Sequence, residues 1–482
     1  MREGADSELV AVGGATSDHA TNARCRKATV EEGHGGEEQM LINGDGDEEE
    51  VVAAAAGLHA GLHAGLHARR SSWANVSMTL MGEIMGTGVL SLPHATAQLG
   101  WVLGLGSCVL FGAASTYSGV LLSRMVNDFY ADAHSYADLS ACIIGPRAGR
   151  ITRVAISSMW ALILPYYLMA TVSSLIVALP DLQLCYWQWA IGVACVLLPP
   201  LQLRDLHSIS YAAGASTAAM VSAVGLILFQ LGTGTAAADA PPPTTRVWPK
   251  LDGGVLRMYA SFGSFIFAYQ GQSIFLEIMR EMRQPRHFPR AVVSANTALV
   301  GVYALTSIVG YGGMGDGVAP FLPSSMPPGL LRRATGLLLA FHVGVGCMII
   351  AQPLHRALHL ACFPRTAAGG DGAAAHWALL SCFSVLLAIV VANAVPFFAD
   401  FQNLIGSLMG APIMFGGPAA LYLRACRLHR REVPPVEAAV CWAFVLLLTP
   451  LFSLLGTANA VLDIVAHWEQ MAEPFACTLE GF

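Results

Sequence analysis

The stretch that decides the fold reads LMGEIMGTGVLSLPHATAQLGW and covers residues 80–101. It is apolar enough to span a membrane, yet it contains Gly82, Gly86, Gly88 and Pro93. In a helix interior, glycine costs about 1 kcal/mol and proline about 3 kcal/mol relative to alanine. One interpretation is a close helix–helix contact through Gly82-x-x-x-Gly86. The other is a helix break at Gly86-Thr87-Gly88, where freed backbone groups line a cavity and bind a polar substrate.

A second stretch has the same character and reads SFGSFIFAYQGQSIFLEIMREMRQP, residues 261–285. Its middle, Tyr269-Gln270-Gly271-Gln272-Ser273, places polar groups about halfway across a membrane span. Helix–helix packing through glutamine is one interpretation, and a second break is the other. We call residues 80–101 segment one and residues 261–285 segment six. Paired broken helices in the two halves of a chain indicate a transporter with a site at the membrane midplane.

The remainder of the chain supports a membrane protein. Its mean hydropathy is +0.55 and charged residues make up 12%, against roughly 25% in a soluble protein. A spanning helix needs roughly 20 apolar residues, and such stretches recur at 76–99, 101–124, 151–179, 185–201, 208–232, 257–280, 291–314, 331–361, 375–398, 400–424 and 436–457. We therefore predict an all-α integral membrane protein of about eleven transmembrane helices. Segments one and six each begin a five-helix set.

The arrangement of basic residues predicts the orientation. With the N-terminus in the cytosol, the outer connections carry only Arg246, Lys250, Arg257, Arg332 and Arg333. The cytosolic connections carry the more numerous set Arg69, Arg70, Arg124, Arg147, Arg150, Arg153, Arg204, Arg280, Arg283, Arg286, Arg290, Arg356, Arg365, Arg424, Arg427, Arg430 and Arg431. Basic residues are enriched in the cytosolic loops of membrane proteins. The pattern predicts a cytosolic N-terminus and a C-terminus on the opposite side.

The sequence also resembles a known family. The motif GTGVLSLPHATAQLGW of segment one resembles the signature of the amino acid/auxin permease family, and FAYQGQSIFLEI of segment six is similar to its sixth helix. Weaker similarities are LRDLHSIS at 203–210 and FQNLIGSLMGAPIMFGGPAALYL at 401–423. The resemblance covers roughly 75–480. It implies a LeuT-type fold with inverted repeats at about 76–232 and 257–424, an extra helix at about 436–457, and ion-coupled uptake of amino acids.

The N-terminal region differs from the rest, so we divide the chain into residues 1–72 and a transmembrane transporter domain, residues 73–482. The first part is acidic and of low complexity, and we predict a disordered cytosolic tail. Its GLHA repeat at 57–68 leaves a short amphipathic helix as the alternative. The net charge of −6 comes largely from this tail, so the charge distribution gives no reason to expect nucleic-acid binding.

Metals, cofactors and disulfides are not expected from the sequence. The eleven cysteines lie mostly in apolar runs with no CxxC pair, so we expect neither a disulfide nor a zinc site. His355 and His359 share a helix face, but no glutamate follows His355 as in the HExxH zinc motif. We predict no cofactor and no metal. The expected partners are an amino acid, a proton or sodium ion, and the lipid bilayer.

Residues at the two predicted breaks are the candidates for substrate binding. In folds with broken helices, a half-helix N-terminus faces an anionic group and carbonyl groups receive a cation. We predict that Gly86, Thr87 and Gly88 bind the substrate carboxylate. The ammonium group and the side-chain pocket are assigned to the residues Ala268, Tyr269, Gln270, Gly271 and Gln272. Tyr166, with its neighbour Tyr167, either supplies a hydroxyl or lid, or packs within the bundle.

Two glutamates are candidates for ion coupling or gating, because ionisable residues inside spans are costly. Glu83 lies one turn before the break in segment one. Sodium-coupled members of the family often carry an asparagine in this region, where this chain has Gly82 and Glu83, which favours proton coupling. The alternative for Glu83 is a hydrated or arginine-paired side chain. Glu277 belongs to the FLEI motif near the inner end of segment six, and we predict a gating role.

The function predicted is a proton- or sodium-coupled amino acid transporter that works by alternating access. An amino acid sensor built on the transporter fold is an alternative that the sequence leaves open, and a passive channel is another. An enzyme is not expected, because the spans lack GxSxG, HExxH and paired Asp motifs. The membrane is either the plasma membrane or that of a vacuole or other organelle.

Overall fold

The computed structural model describes residues 71–202, 207–233, 243–249, 258–367, 372–470 and 477. The predicted tail, residues 1–72, lies outside the described residues except for its last two positions. The described ranges are helical throughout, apart from turns, loops and one isolated parallel backbone bridge between Ser71 and Met282. The all-α prediction is confirmed.

Apart from the single helical turn Pro364–Ala367, the described chain has thirteen helices, and their bounds are α1 Trp73–Ile84, α2 Leu92–Asp128, α3 Tyr136–Ile143, α4 Pro146–Ala178, α5 Tyr186–Leu201, α6 His207–Gly232, α7 Met258–Ala268, α8 Phe275–Arg280, α9 Phe288–Met314, α10 Leu330–Cys362, α11 Ala373–Ala394, α12 Phe398–Leu428 and α13 Pro435–Trp468. In the described part of the chain, eight helices are long and apolar enough to cross a membrane. They include neither α5 nor α1, α7 and α8 of the interrupted segments one and six, and the count of eleven spans stays a prediction.

Helix α2 is two helices joined at Gly100. This glycine has φ +75°, a conformation that side-chain-bearing residues rarely adopt. Backbone atoms of Val247 and Trp248 lie 2.7 Å from the position that a Cβ on Gly100 would take. The loop at residues 243–249 crosses this point, and its carbonyl groups at Arg246 and Val247 accept from the N–H groups of Trp101 and Val102 at 3.0 and 3.2 Å. The first of these two helices therefore ends at Gly100, under the backbone of this loop.

Ion pairs join the ends of the spans. On the side where α1 begins, here called the inner side, Arg124 pairs with Glu437, and Arg431 pairs with Asp128 at 2.5 Å. On the opposite, outer side, Arg333 pairs with Asp181 at 2.8 Å. Each pair joins helix ends that the predicted alternation of spans places on the same side.

The last helix is longer than predicted. The apolar run in the sequence ends near 457, but α13 continues to Trp468. His467 Nδ1 lies 2.6 Å from Asp400 Oδ2 at the start of α12, and its ring lies 5.4 Å from that of Phe397. The polar last turns are therefore stabilised by contacts with α12, which hydropathy alone does not reveal.

The prediction of no disulfide was wrong. Cys185 and Cys477 form a disulfide across a sequence separation of 292 residues. Cys185 is the N-cap of α5, and Cys477 follows α13. Both lie beyond the apolar helix interiors, and no local spacing pattern could have paired residues so distant in sequence. The bond ties the C-terminal segment to the outer end of α5.

Loss of this disulfide is expected to lower stability. We expect Cys185→Ser to lower the free energy of unfolding by about 2–4 kcal/mol, because the bond restrains the unfolded chain. Thermal unfolding in detergent measures the effect. Cys195→Ser is the matched control, since Cys195 is an exposed free cysteine on the same helix. After reduction, a membrane-impermeant maleimide should label Cys185 from the outer side; labelling only from the cytosolic side would contradict the orientation.

Candidate functional site

Segment one is broken at its glycines. Helix α1 ends at Ile84, and Met85 (ψ 68°) and Gly86 (φ −93°, ψ −156°) leave the helical conformation. A 3-10 turn at Thr87–Leu90 then leads into α2. The N–H groups at the start of such a helical segment have no partner within it. The break therefore presents a positive helix end at Gly86 and a negative one at Ile84.

Segment six is broken at the predicted place as well. Helix α7 ends at Ala268, and Gly271 has the non-helical angles φ −153° and ψ −5°. A 3-10 turn at Gln272–Ile274 follows and leads into α8. The chain between Ala268 and Gln272 is therefore unwound in the middle of the protein.

The two breaks face each other in direct backbone contact. A Cβ on Gly88 would lie 2.8 Å from Ala268 Cα and 3.1 Å from Ala268 Cβ. In the opposite direction, a Cβ on Gly271 would lie 2.9 Å from Ile84 Cγ1. Each break thus contains a glycine, and the absence of a side chain there allows the other segment to approach closely. Gly82, by contrast, packs on Thr217 of α6, because a Cβ on Gly82 would lie 2.7 Å from the Thr217 hydroxyl, so it fits the helix-packing interpretation.

A buried polar network holds the unwound part of segment six. Ser115 of α2 donates to the Tyr269 carbonyl at 3.0 Å and accepts from the Gln272 amide at 2.9 Å. The Gln272 side-chain oxygen accepts from the Gly271 N–H at 3.1 Å. Asn296 of α9 donates to Thr116 at 3.0 Å and to Ser115 at 3.4 Å. These bonds replace the helical ladder that the break has lost.

Two polar atoms at this break remain available. The Tyr269 hydroxyl and the Gln270 side-chain oxygen are buried and have no hydrogen-bond partner among the described residues. The Gln270 amide nitrogen contacts the Met159 sulfur. Buried polar atoms are normally hydrogen-bonded, so an unpaired one requires an explanation.

The neighbouring tyrosines of α4 have different surroundings. Tyr166 is fully buried and its hydroxyl donates to Gln402 of α12 at 2.8 Å. Its ring lies 4.9 Å from that of Phe267 in segment six. Tyr167 is partly exposed, and its hydroxyl lies 3.6 Å from the position of a Cβ on Gly86. Tyr166 therefore joins α4 to α12 behind segment six, and Tyr167 faces the break in segment one.

The two glutamates lie in different places. Glu83 is exposed and directly precedes Ile84, the last residue of α1 before the break in segment one. Glu277 is also exposed and lies on α8, beyond the break in segment six. Glu83 therefore adjoins a break, whereas Glu277 lies further along its segment.

The two histidines of α10 contact protein hydroxyl groups. His355 Nε2 lies 2.6 Å from the Ser384 hydroxyl, and His359 Nε2 lies 3.1 Å from the Thr366 hydroxyl. Within the described ranges, no group of three or more His, Cys, Asp or Glu side chains is arranged to hold a metal ion.

Several residues at the site were missed by the sequence analysis. They are Ser115, Asn296, Tyr303 and Gln402, on helices α2, α9 and α12. Each is an uncharged polar residue within a predicted span, a signal shared by many residues that only pack between helices. The sequence gives no indication of which helix face meets the breaks, so these residues could not be selected.

Comparison with known proteins identifies the family. The model of the family described as transmembrane amino acid transporter protein matches residues 69–461. The chain belongs to this family. The transporter is 25% identical over 411 residues to amino acid transporter AVT1C of Arabidopsis thaliana, covering 82% of this chain and 70% of that protein. It is likewise 25% identical over 405 residues to the vesicular inhibitory amino acid transporter of Mus musculus, covering 79% and 73%.

The fold is confirmed by a solved structure. The crystal structure of MhsT in complex with L-phenylalanine matches the transporter with a TM-score of 0.53 at 12% sequence identity. The match covers 81% of this chain and 99% of the other. The transporter is therefore a multi-pass membrane protein of the LeuT-type fold in a family of amino acid transporters rather than of enzymes. The family resemblance inferred from the sequence is confirmed.

Proposed function

We propose that this chain is a proton-coupled secondary transporter of amino acids that works by alternating access and binds its substrate between the two breaks. The observation that carries the proposal is the contact between segments one and six at Gly88 and Ala268. This contact brings together the positive ends of the helical segments that begin after Gly86 and Gly271, and the negative ends of α1 and α7. Such a place can bind a small zwitterion by fixed dipoles, without a charged side chain.

The two ends of an amino acid have different partners in this proposal. The carboxylate binds at the positive end of the helical segment that begins at Thr87, next to Gly86. The ammonium group faces segment six, where the unpaired Gln270 side-chain oxygen is an acceptor and the Tyr269 hydroxyl is a second polar group. Tyr167, which is partly exposed beside Gly86, contacts the substrate from α4. The unpaired polar atoms thereby gain partners when substrate is bound.

Alternating access requires that the inner half-helices separate. Backbone hydrogen bonds join their inner ends: Ser71 N–H donates to the Glu281 carbonyl at 3.2 Å, and Arg283 N–H donates to the Ser71 carbonyl at 3.1 Å. Ser71 precedes α1 and Glu281 follows α8 directly. Backbone hydrogen bonds of this kind can exchange for bonds to water at a modest net cost. We propose that this contact opens when substrate is released to the inner side, with Glu277 nearby as a gating residue.

The proposal is tested by uptake of labelled amino acids into proteoliposomes with an imposed proton or sodium gradient. Saturable uptake that the proton gradient accelerates is the expected result. Binding of an amino acid without uptake would instead indicate a sensor. Currents that do not saturate with substrate would indicate a channel. Uptake driven only by sodium would contradict proton coupling and leave the transporter assignment intact.

Glu83 is the residue proposed to carry the coupled proton. We expect Glu83→Gln to lose the acceleration by a proton gradient, because the amide keeps the size of the side chain but does not titrate. Exchange of labelled for unlabelled substrate, which needs no net proton movement, should persist. Glu432→Gln is the control, since it removes an exposed carboxylate between α12 and α13, outside both broken segments, and should keep the gradient response. A Glu83→Gln protein that still responds fully to the gradient would exclude this role.

A further inference from the structure

Tyr303 of α9 joins the two broken segments. Its side chain is fully buried. Its hydroxyl lies 3.2 Å from the Ile84 carbonyl oxygen and 2.9 Å from the Ala268 carbonyl oxygen. Its ring lies 4.9 Å from that of Tyr269. Ile84 is the last residue of α1, and Ala268 is the last residue of α7. One hydroxyl thus contacts the C-terminal end of both half-helices.

The carbonyl groups at these two helix ends carry more negative partial charge than carbonyl groups inside a helix. The last carbonyl groups of a helix have no partner within it, and each helix C-terminus carries roughly half a negative charge. Two such ends meet at Tyr303, where the Ile84 carbonyl also accepts from the Gly86 N–H at 2.8 Å, so the position carries a partial negative charge of roughly one at most. A tyrosine hydroxyl has one proton to donate. In transporters with broken helices, half-helix C-terminal ends and unwound carbonyl groups coordinate the coupling cation.

We propose that the Tyr303 hydroxyl occupies the position at which a coupling cation would otherwise be coordinated between the ends of α1 and α7, and that it fixes the relative position of the two breaks. Because this hydroxyl belongs to the protein and is not a bound ion, the contact between the two breaks does not depend on the cation concentration on either side of the membrane. Tyr303 is a positioning residue: it holds Ile84 and Ala268, and with them the adjoining Gly86 and Tyr269.

The proposal rests on the proposed transport function, and it is tested in two ways. In proteoliposome uptake, Tyr303→Phe should lower kcat/KM about tenfold, which corresponds to about 1.4 kcal/mol. Tyr311→Phe is the matched control. Tyr311 is buried on the same helix, and its hydroxyl accepts from the Arg246 N–H at 2.7 Å on the outer side. Both variants should unfold at similar temperatures. Equal kcat/KM for the two variants would overturn the positioning role.

The second measurement does not require transport. Tyr303→Asn shortens the side chain and leaves an oxygen beside the two carbonyl groups, so a cation can enter. The purified variant should gain a rise in unfolding temperature when sodium replaces choline, and this rise should exceed that of the wild type. A variant no more responsive to sodium than the wild type would overturn the cation-position inference. If the wild type moves no amino acid, the transport function fails, and this second measurement still decides the inference.

Discussion

Gly88→Ala is expected to reduce amino acid uptake by roughly tenfold to a hundredfold while the protein still inserts into the membrane. The added methyl group would lie 2.8 Å from the Cα of Ala268. Because the obstructing atom belongs to the backbone, no side-chain rotation can relieve the contact. Overpacking of this kind costs about 1–3 kcal/mol, and each tenfold change corresponds to about 1.4 kcal/mol. The added methyl group strains both breaks, so we expect the geometry of the substrate site to be disturbed while the rest of the protein stays folded.

Gly106→Ala provides the matched control for this experiment. Gly106 lies on α2, the helix that follows the 3-10 turn of Gly88, and no atom lies within 4 Å of the position that its Cβ would take. This variant should transport like the wild type, or be slightly more stable, because alanine favours a helix by about 1 kcal/mol over glycine. Both variants are compared by uptake kinetics and by the amount of folded protein. Wild-type kinetics in Gly88→Ala would show that the two segments do not need this contact.

The sequence indicated where the two breaks lie, although it left helix–helix packing open as the alternative. Three glycines in segment one and a polar cluster in segment six both disfavour an unbroken membrane helix, so local energetics drew attention to these two places. The structure places the breaks at Met85–Gly86 and near Gly271. The resemblance to the family additionally predicted the inverted repeat and amino acids as the substrate class. The family is confirmed by the match over residues 69–461. The substrate-binding and coupling roles of individual residues stay predictions.

The partners of the breaks could not be predicted, for a physical reason. In an apolar bundle the hydrophobic pattern runs around the whole helix, so it does not show which face is turned to the site. Tyr166 and Tyr167 illustrate the difficulty, because they are adjacent in sequence. The structure turns Tyr166 towards Gln402 and Tyr167 towards Gly86. Tyr303 and the Cys185–Cys477 disulfide depend on contacts between residues far apart in sequence, which no local pattern encodes.

Gln272→Leu is expected to impair both stability and substrate affinity. The leucine keeps the volume but removes the acceptor for the Gly271 N–H and the donor to Ser115. A buried group left without its partner costs about 1–3 kcal/mol, so the unfolding temperature should fall. Ser115 also donates to the Tyr269 carbonyl at 3.0 Å, and the loss of Gln272 frees it to reorient. The unwound backbone of segment six is then less ordered, and the apparent KM for the amino acid should rise.

The effect on affinity separates this network from an ordinary buried one. Gln202→Leu removes a comparable amide, which donates to the Leu198 carbonyl at 3.1 Å and to the Ser381 hydroxyl at 2.9 Å, between α5 and α11. This variant should lower the unfolding temperature and leave KM unchanged, because neither helix contributes to a break. Thermal unfolding and uptake kinetics on the two variants therefore distinguish general stability from the geometry of segment six. If Gln272→Leu lowers only the unfolding temperature, the network stabilises the bundle without ordering the substrate site.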